Sequence, residues 1–173
     1  ILGPNHHGRG AKAGVSTTDW QMPGGVVPCD AEIAQALIDA TPLFAHDELA
    51  HQFEHSIEVQ VPFLQELQSE LQIVAIALSS LSYQDCVEIG GAISKVIEQS
   101  TEEILIVAST DMSHYESRTS ASEKDQRALD RVLALDPEGL YRTVLKERIS
   151  MCGFIPVAVT LEATANLGAT KSE

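Results

Sequence analysis

Ile73-Val74-Ala75-Ile76-Ala77-Leu78 and Ile104-Leu105-Ile106-Val107-Ala108-Ser109 decide the fold class. Each is a continuous apolar run, not an apolar–polar alternation, which is how a strand buried on both faces reads. Between them Ser82 and Asp85 form a capping-box pattern ahead of Ile89, Ile93, Val96 and Ile97, apolar positions at helical spacing. Strands of this kind alternating with helices predict an α/β domain, with a mostly parallel central sheet flanked by helices. Ile1-Leu2 running into Gly3-Pro4 reads as the tail of a further core strand. No initiator Met precedes that strand, so the chain is expected to be a piece of a longer protein.

More helices follow from periodicity and caps. Asp30 is the expected N-cap of a helix carrying Ile33, Leu37 and Ile38. Ile57, Val61, Leu64, Leu67 and Leu71 suggest a helix over 53–71, which Pro62 either kinks or truly begins. Helices are also predicted over 123–135, over 137–149 behind Asp136-Pro137, and from near Pro156 to Gly168. Residues 8–28 are rich in Gly and Pro and read as irregular, with one short strand around 15–20.

A chain of 173 residues with a mean hydropathy of +0.01 is one globular domain able to bury a core. Its apolar runs are too short to span a bilayer. Eleven basic against twenty-five acidic residues give a net charge of −14, which argues against nucleic acid or an anionic membrane as partner. The three cysteines, Cys29, Cys86 and Cys152, are too few and too irregular for a disulfide framework, so a reducing, cytoplasmic setting is expected.

In a parallel sheet the crevice lies beyond the C-terminal strand ends. One strand ends at Asn5-His6-His7 and another at Thr110-Asp111-Met112-Ser113-His114, so the two should meet at one edge. Adjacent residues of an extended segment point opposite ways, so only one of His6 and His7 should face the crevice. Asp111 and His114 suit an orienting acid and a general base, with Tyr115 as a further hydrogen-bonding group, or Asp111 simply caps the next turn. His51, His55 and Glu58 would share a helical face, although the pattern is not the zinc motif H-E-x-x-H, and Glu54 and Glu58 would equally favour a helix N-terminus. Cys29 and Cys86 read as inert core thiols, and Cys152 before Gly153 reads by itself as core filling. No P-loop, dinucleotide fingerprint, nucleophile elbow or CxxC is present.

Leu2-Gly3-Pro4-Asn5-His6-His7, Glu54-His55-Ser56-Ile57-Glu58 with Pro62-Phe63, Ser109-Thr110-Asp111-Met112-Ser113-His114-Tyr115, and Cys152-Gly153 with Pro156 follow one another as they do in a known family. Through them the chain resembles the Memo (mediator of cell motility) family, whose prokaryotic members are called AmmeMemoRadiSam system protein B. The resemblance covers essentially all 173 residues and implies a single Memo-like domain, similar in fold to class III extradiol dioxygenases. It also implies truncation at both ends. A Pro-His-Ala-Gly motif, which carries another ligand histidine, lies upstream in the family, and a final strand region follows the equivalent of Gly168-Ala169. By the same resemblance His6 is a metal ligand, with His7 as second choice, and Cys152 is the cysteine ligand. Asp111 and His114 become an acid–base pair and His55 lines the pocket.

Dioxygenases of this fold use two histidines and a carboxylate, which suits Fe(II), whereas a thiolate shifts preference towards Cu(I) or Zn(II). The expected cofactor is therefore iron or copper, with zinc as third. The expected function is a metal-dependent redox enzyme acting on an unidentified small molecule. The alternative is a binding or signalling module for a peptide or protein on the same fold. Eukaryotic family members are described as binding phosphorylated peptides, which at a net charge of −14 needs a local basic pocket. The prokaryotic name implies partnership with a radical enzyme and companion proteins.

Overall fold

The computed structural model describes residues 1–173. Its elements in order are β1 (Leu2–Pro4), β2 (Ala13–Val15), β3 (Trp20–Met22), β4 (Gly25–Val27), α1 (Ala31–Ala40), β5 (Phe44–His46), α2 (Val61–Leu67), β6 (Ile76–Leu78), α3 (Tyr83–Gln99), α4 (Arg118–Leu133), α5 (Pro137–Glu147) and α6 (Phe154–Asn166). The central sheet runs β1-β6-β2-β5. β1 pairs with β6 and β2 with β5 in parallel, while β2 and β6 are antiparallel. Segment 107–109 adds to the free side of β1, where Leu2 N–H donates to Val107 O at 2.7 Å and Ser109 N–H to Leu2 O at 2.8 Å. Leu2 and Ala108 form a parallel bridge, so β1 and this segment leave the sheet at the same edge. The fold is thus α/β with a mostly parallel central sheet flanked by helices.

The main core joins Leu2, Val15, Phe44 and Leu78 of the sheet to Leu37 of α1, Ile89 of α3 and Val159 of α6. A second core, with Leu140, Val144 and Leu161, ties α4 and α5 to α6. No helix is long and apolar enough to cross a membrane.

Local signals translate faithfully. Asp30 caps α1 by accepting from Ile33 N–H, Asp136 caps α5 by accepting from Gly139 N–H, and both halves of the Ser82–Asp85 capping box are present. Long-range effects do not. The helix expected over 53–71 shrinks to α2, with Pro62 in its first turn, because Pro62 brings no N–H to a helical ladder and the residues before it close short turns, Gln60 N–H to Ile57 O and Val61 N–H to Glu58 O. Ile57 and Val61 are buried, yet Leu67 is 84% exposed, so the apolar stripe does not continue through α2. Residues 8–28 hold β2 and a β3–β4 hairpin instead of one short strand, since Thr17 and Thr18 turn out of the sheet to bind Glu48. Segment 104–109 is buried only where it meets β1, and Leu105 is 73% exposed. α4 begins earlier than predicted, at Arg118, because Ser117 caps it through Ser120 N–H.

Truncating Ile57 to Ala should cost about 2–5 kcal/mol in denaturant unfolding. Leu67→Ala should stay within about 0.5 kcal/mol of the parent. Equal costs would mean that the stripe is buried along its whole length.

Candidate functional site

Beyond the shared edge of β1 and segment 107–109 lie two groups of potential ligand side chains. One is His6, Glu54 and His55 and the other Asp111, His114 and Cys152, and in each the donor atoms lie within 4.8 Å of one another. The structure therefore assembles most of the residues singled out in the sequence, but in two sets. His6 and Cys152 fall in different ones.

The first set forms where the turn over 54–60 lies against the end of β1. Ser56 Oγ donates to Pro4 O at 2.9 Å, and Gln60 Nε2 donates to Ser109 Oγ at 3.1 Å, which ties the turn to both strand ends. The Glu54 side chain is 2% exposed and lies 2.8 Å from His6 Nδ1. Burial raises the Glu54 pKa, but hydrogen bonds from the His6 ring and from the Ser56 and His6 N–H groups, with the His6 charge, outweigh it and hold the carboxyl at about 2. The His55 ring stacks on His6 with centroids 5.0 Å apart and planes at 11°. His6 and His7 both lie in the exposed turn after β1, not on the extended segment from which opposite facing was expected, and His6 is the one that meets Glu54.

His51 does not share a helical face with His55 and Glu58, because residues 51–60 form turns and irregular backbone, not a helix. Its Nε2 lies 3.0 Å from Gly14 O, its ring meets Trp20 edge-on, and burial lowers its pKa. A cleft of about 550 Å³ runs alongside, between β3 and segment 48–58, lined by Asp19, Trp20, Glu48, His51, Glu54 and Glu58. It shares only Glu54 with the first ligand set.

The second set forms where segment 110–114 meets the connection between α5 and α6. Cys152 Sγ accepts Asp111 N–H at 3.2 Å, and Gly153 N–H donates to Thr110 Oγ1 at 3.0 Å. Any Cβ at Gly153 would collide with Ser109 O and Thr110 Cβ, so only glycine lets this connection approach so closely. His114 Nε2 lies 3.3 Å from Asp111 Oδ2, and its Nδ1 lies 2.7 Å from Ser150 O. Ser150 Oγ also accepts His114 N–H at 2.6 Å. Asp111 is 81% exposed on its side chain and caps no turn; the carboxylate that accepts Ser113 N–H belongs to Asp125. Tyr115, fully exposed with φ of 57°, stands beside His114 without a hydrogen bond to it.

The other thiols match their expected inert class. Burial pushes Cys86 up to about 12, and burial with neighbouring carboxylates raises Cys29. Two contributors were invisible in sequence. Ser150 carries no motif and touches His114 only through the fold, and Glu54 read as a helix-terminus charge, whereas its partner is His6.

A model of the family described as Memo-like protein matches residues 1–173. The chain belongs to the Memo-like family. A MEMO1 family protein of Methanosarcina barkeri is 35% identical over 174 residues, covering 100% of this chain and 65% of that relative. MEMO1 family proteins of Methanocaldococcus jannaschii and Methanopyrus kandleri are each 39% identical, with 100% of this chain and 62% of theirs aligned. The Memo-like chain thus spans a little under two thirds of the length of these relatives.

The donor set fits a metal ion, since imidazole, thiol and carboxylate groups are the usual ligands of transition metals. The Glu54 shift has a second consequence. Its folded pKa of about 2 lies below the ordinary 4.5, so ionised Glu54 stabilises the fold above that range, and the contribution is lost as pH falls towards 2. In acid unfolding of the metal-free protein, the stability gap between the parent and Glu54→Gln should therefore narrow from about pH 5 to about pH 2. A gap that stays constant would show that Glu54 titrates normally.

Proposed function

We propose that this Memo-like chain holds a metal ion at the C-terminal edge of its sheet and serves a redox reaction of the dioxygenase-like class on a small molecule. The observation that carries it is the second ligand set. Ser150 O can only accept, so in the neutral His114 ring Nδ1 keeps the proton and Nε2 offers a lone pair. That lone pair faces Asp111 Oδ2 at 3.3 Å, close to Cys152 Sγ. A lone pair and an ionised carboxylate repel each other unless a proton or a cation lies between them. A bound cation answers this arrangement, with His114 beyond segment 107–109 and Cys152 on the α5–α6 connection as its ligands, and His6, which lies in the other set, would have to close on the ion from the end of β1.

The thiol favours Cu(I) or Zn(II), while the nitrogen and oxygen donors accommodate iron. When bound, such an ion supplies Lewis-acid or one-electron chemistry. The chain's own residues then divide the remaining work. His114 is held in orientation by Ser150, Asp111 stands exposed where it can take up or release a proton, and the largely exposed His55 ring borders the ligand edge. The dioxygenase-like fold and a cytoplasmic setting belong to the same proposal; they are supported by the family resemblance and by three unpaired thiols.

Anaerobic titration of the full-length protein with Fe(II) or Cu(I) should give stoichiometric binding. His6→Ala, His114→Ala and Cys152→Ala should each weaken it at least tenfold. Unchanged binding in both His6→Ala and Cys152→Ala overturns the proposal.

A further inference from the structure

We infer that Glu54 is a positioning residue. It holds His6 in the tautomer whose proton is on Nδ1, and so keeps the Nε2 lone pair free for a ligand. The link to metal binding rests on the proposed function; the tautomer itself does not.

The Glu54 carboxylate is surrounded by donors. One oxygen accepts His6 N–H at 2.6 Å. The other accepts His55 N–H at 2.9 Å and Ser56 N–H at 3.0 Å, and lies 2.8 Å from His6 Nδ1. Backbone N–H groups can only donate, so this environment is built for a carboxylate without a proton. Such a carboxylate has nothing to donate to the ring, and the fourth bond must therefore run from Nδ1–H to Glu54. A neutral imidazole carries a single ring proton, so Nε2 is left as an acceptor. Without that constraint either nitrogen could carry the proton.

A second reading makes Glu54 itself a ligand beside His6 and His55, a set of two histidines and one carboxylate. The hydrogen bonds oppose it. Turning the carboxylate towards an ion would strip the part-buried N–H groups of His6 and His55 and the buried N–H of Ser56 of their acceptor. Glu54 works through His6.

The packing of the chain sets the carboxylate's place. A Cβ on Gly3 would lie 2.5 Å from Ser56 Oγ and 2.7 Å from Ile57 Cγ1, so the turn rests directly on the β1 backbone. Ser56 Oγ fastens it to Pro4 O. The strand that delivers His6 is therefore the one that seats Glu54, and the stacked His55 ring limits rotation of His6 from above. Outer carboxylates of this type raise the metal affinity of the histidine they hold by about 10–100-fold.

The test reads the ring nitrogens directly. Long-range proton–nitrogen correlation spectra of the metal-free, nitrogen-15-labelled protein are recorded about two pH units above the ordinary histidine pKa of ~6.5. His6 is expected in the Nδ1–H form. His114, held by Ser150 O, is expected in the same form and serves as an internal reference. In Glu54→Ala, His6 should move to the Nε2–H form or to a mixture while His114 stays unchanged. Glu54→Gln, whose amide oxygen still accepts, should restore Nδ1–H. An Nε2–H His6 in the parent overturns the inference, as does an Nδ1–H His6 in Glu54→Ala. Should Glu54→Ala fail to fold, the parent spectrum decides alone. Because no metal is present, these spectra stand or fall independently of the metal titration. If both hold, Glu54→Ala should weaken Fe(II) or Cu(I) binding about 10–100-fold.

Discussion

Everything at the candidate site depends on the parallel pairing of β1 with segment 107–109. Two hydrogen bonds through Leu2 hold the strands side by side. Because they run the same way, Asn5-His6 and Thr110-Asp111 emerge together, although more than a hundred residues separate them in sequence. An antiparallel pairing would send the two motifs to opposite ends of the sheet. The turn over 54–60 then closes the edge by bonding to Pro4 on one strand and Ser109 on the other.

Small residues make these approaches feasible. Gly3 lets Ser56 and Ile57 lie on β1, and Gly153 lets the Cys152 connection lie on Ser109 and Thr110. Each brings a functional side chain with it, Glu54 in the first case and Cys152 in the second. Fixed acceptors then orient the imidazoles, a buried carboxylate for His6 and a backbone carbonyl for His114. The two histidines are thus treated alike by groups of different chemistry, each of which faces Nδ1. In a chain of net charge −14, an edge lined with carboxylate, thiol and imidazole acceptors suits a cation better than an anionic partner.

Legibility in the sequence followed the range of the interactions. Asp30, Ser82 with Asp85, and Asp136-Pro137 marked helix starts correctly, because capping involves residues three apart and little else. The stripe from Ile57 to Leu71 misled because apolar periodicity does not register the donor that a proline lacks. Pro62 has no N–H, and the residues before it close short turns, Gln60 N–H to Ile57 O and Val61 N–H to Glu58 O. The run at Ile104 misled for a related reason, since apolar character alone does not say how much of a segment finds a neighbour to cover it. Gln21 and Met22 lay in a region whose Gly and Pro content suggested a loop, and only pairing with β4 makes a strand of Trp20–Met22.

By itself the sequence determined the α/β class, the helix caps, the family and the residue types of the site, since these rest on local periodicity, short-range hydrogen bonds and motif order. The tertiary structure alone decided how those residues combine. It separated His6 from Cys152, joined His114 to Ser150 and seated Glu54 against His6. Which acceptor faces which ring nitrogen depends on strands and turns far apart in the chain, and that proximity exists only once the core has packed.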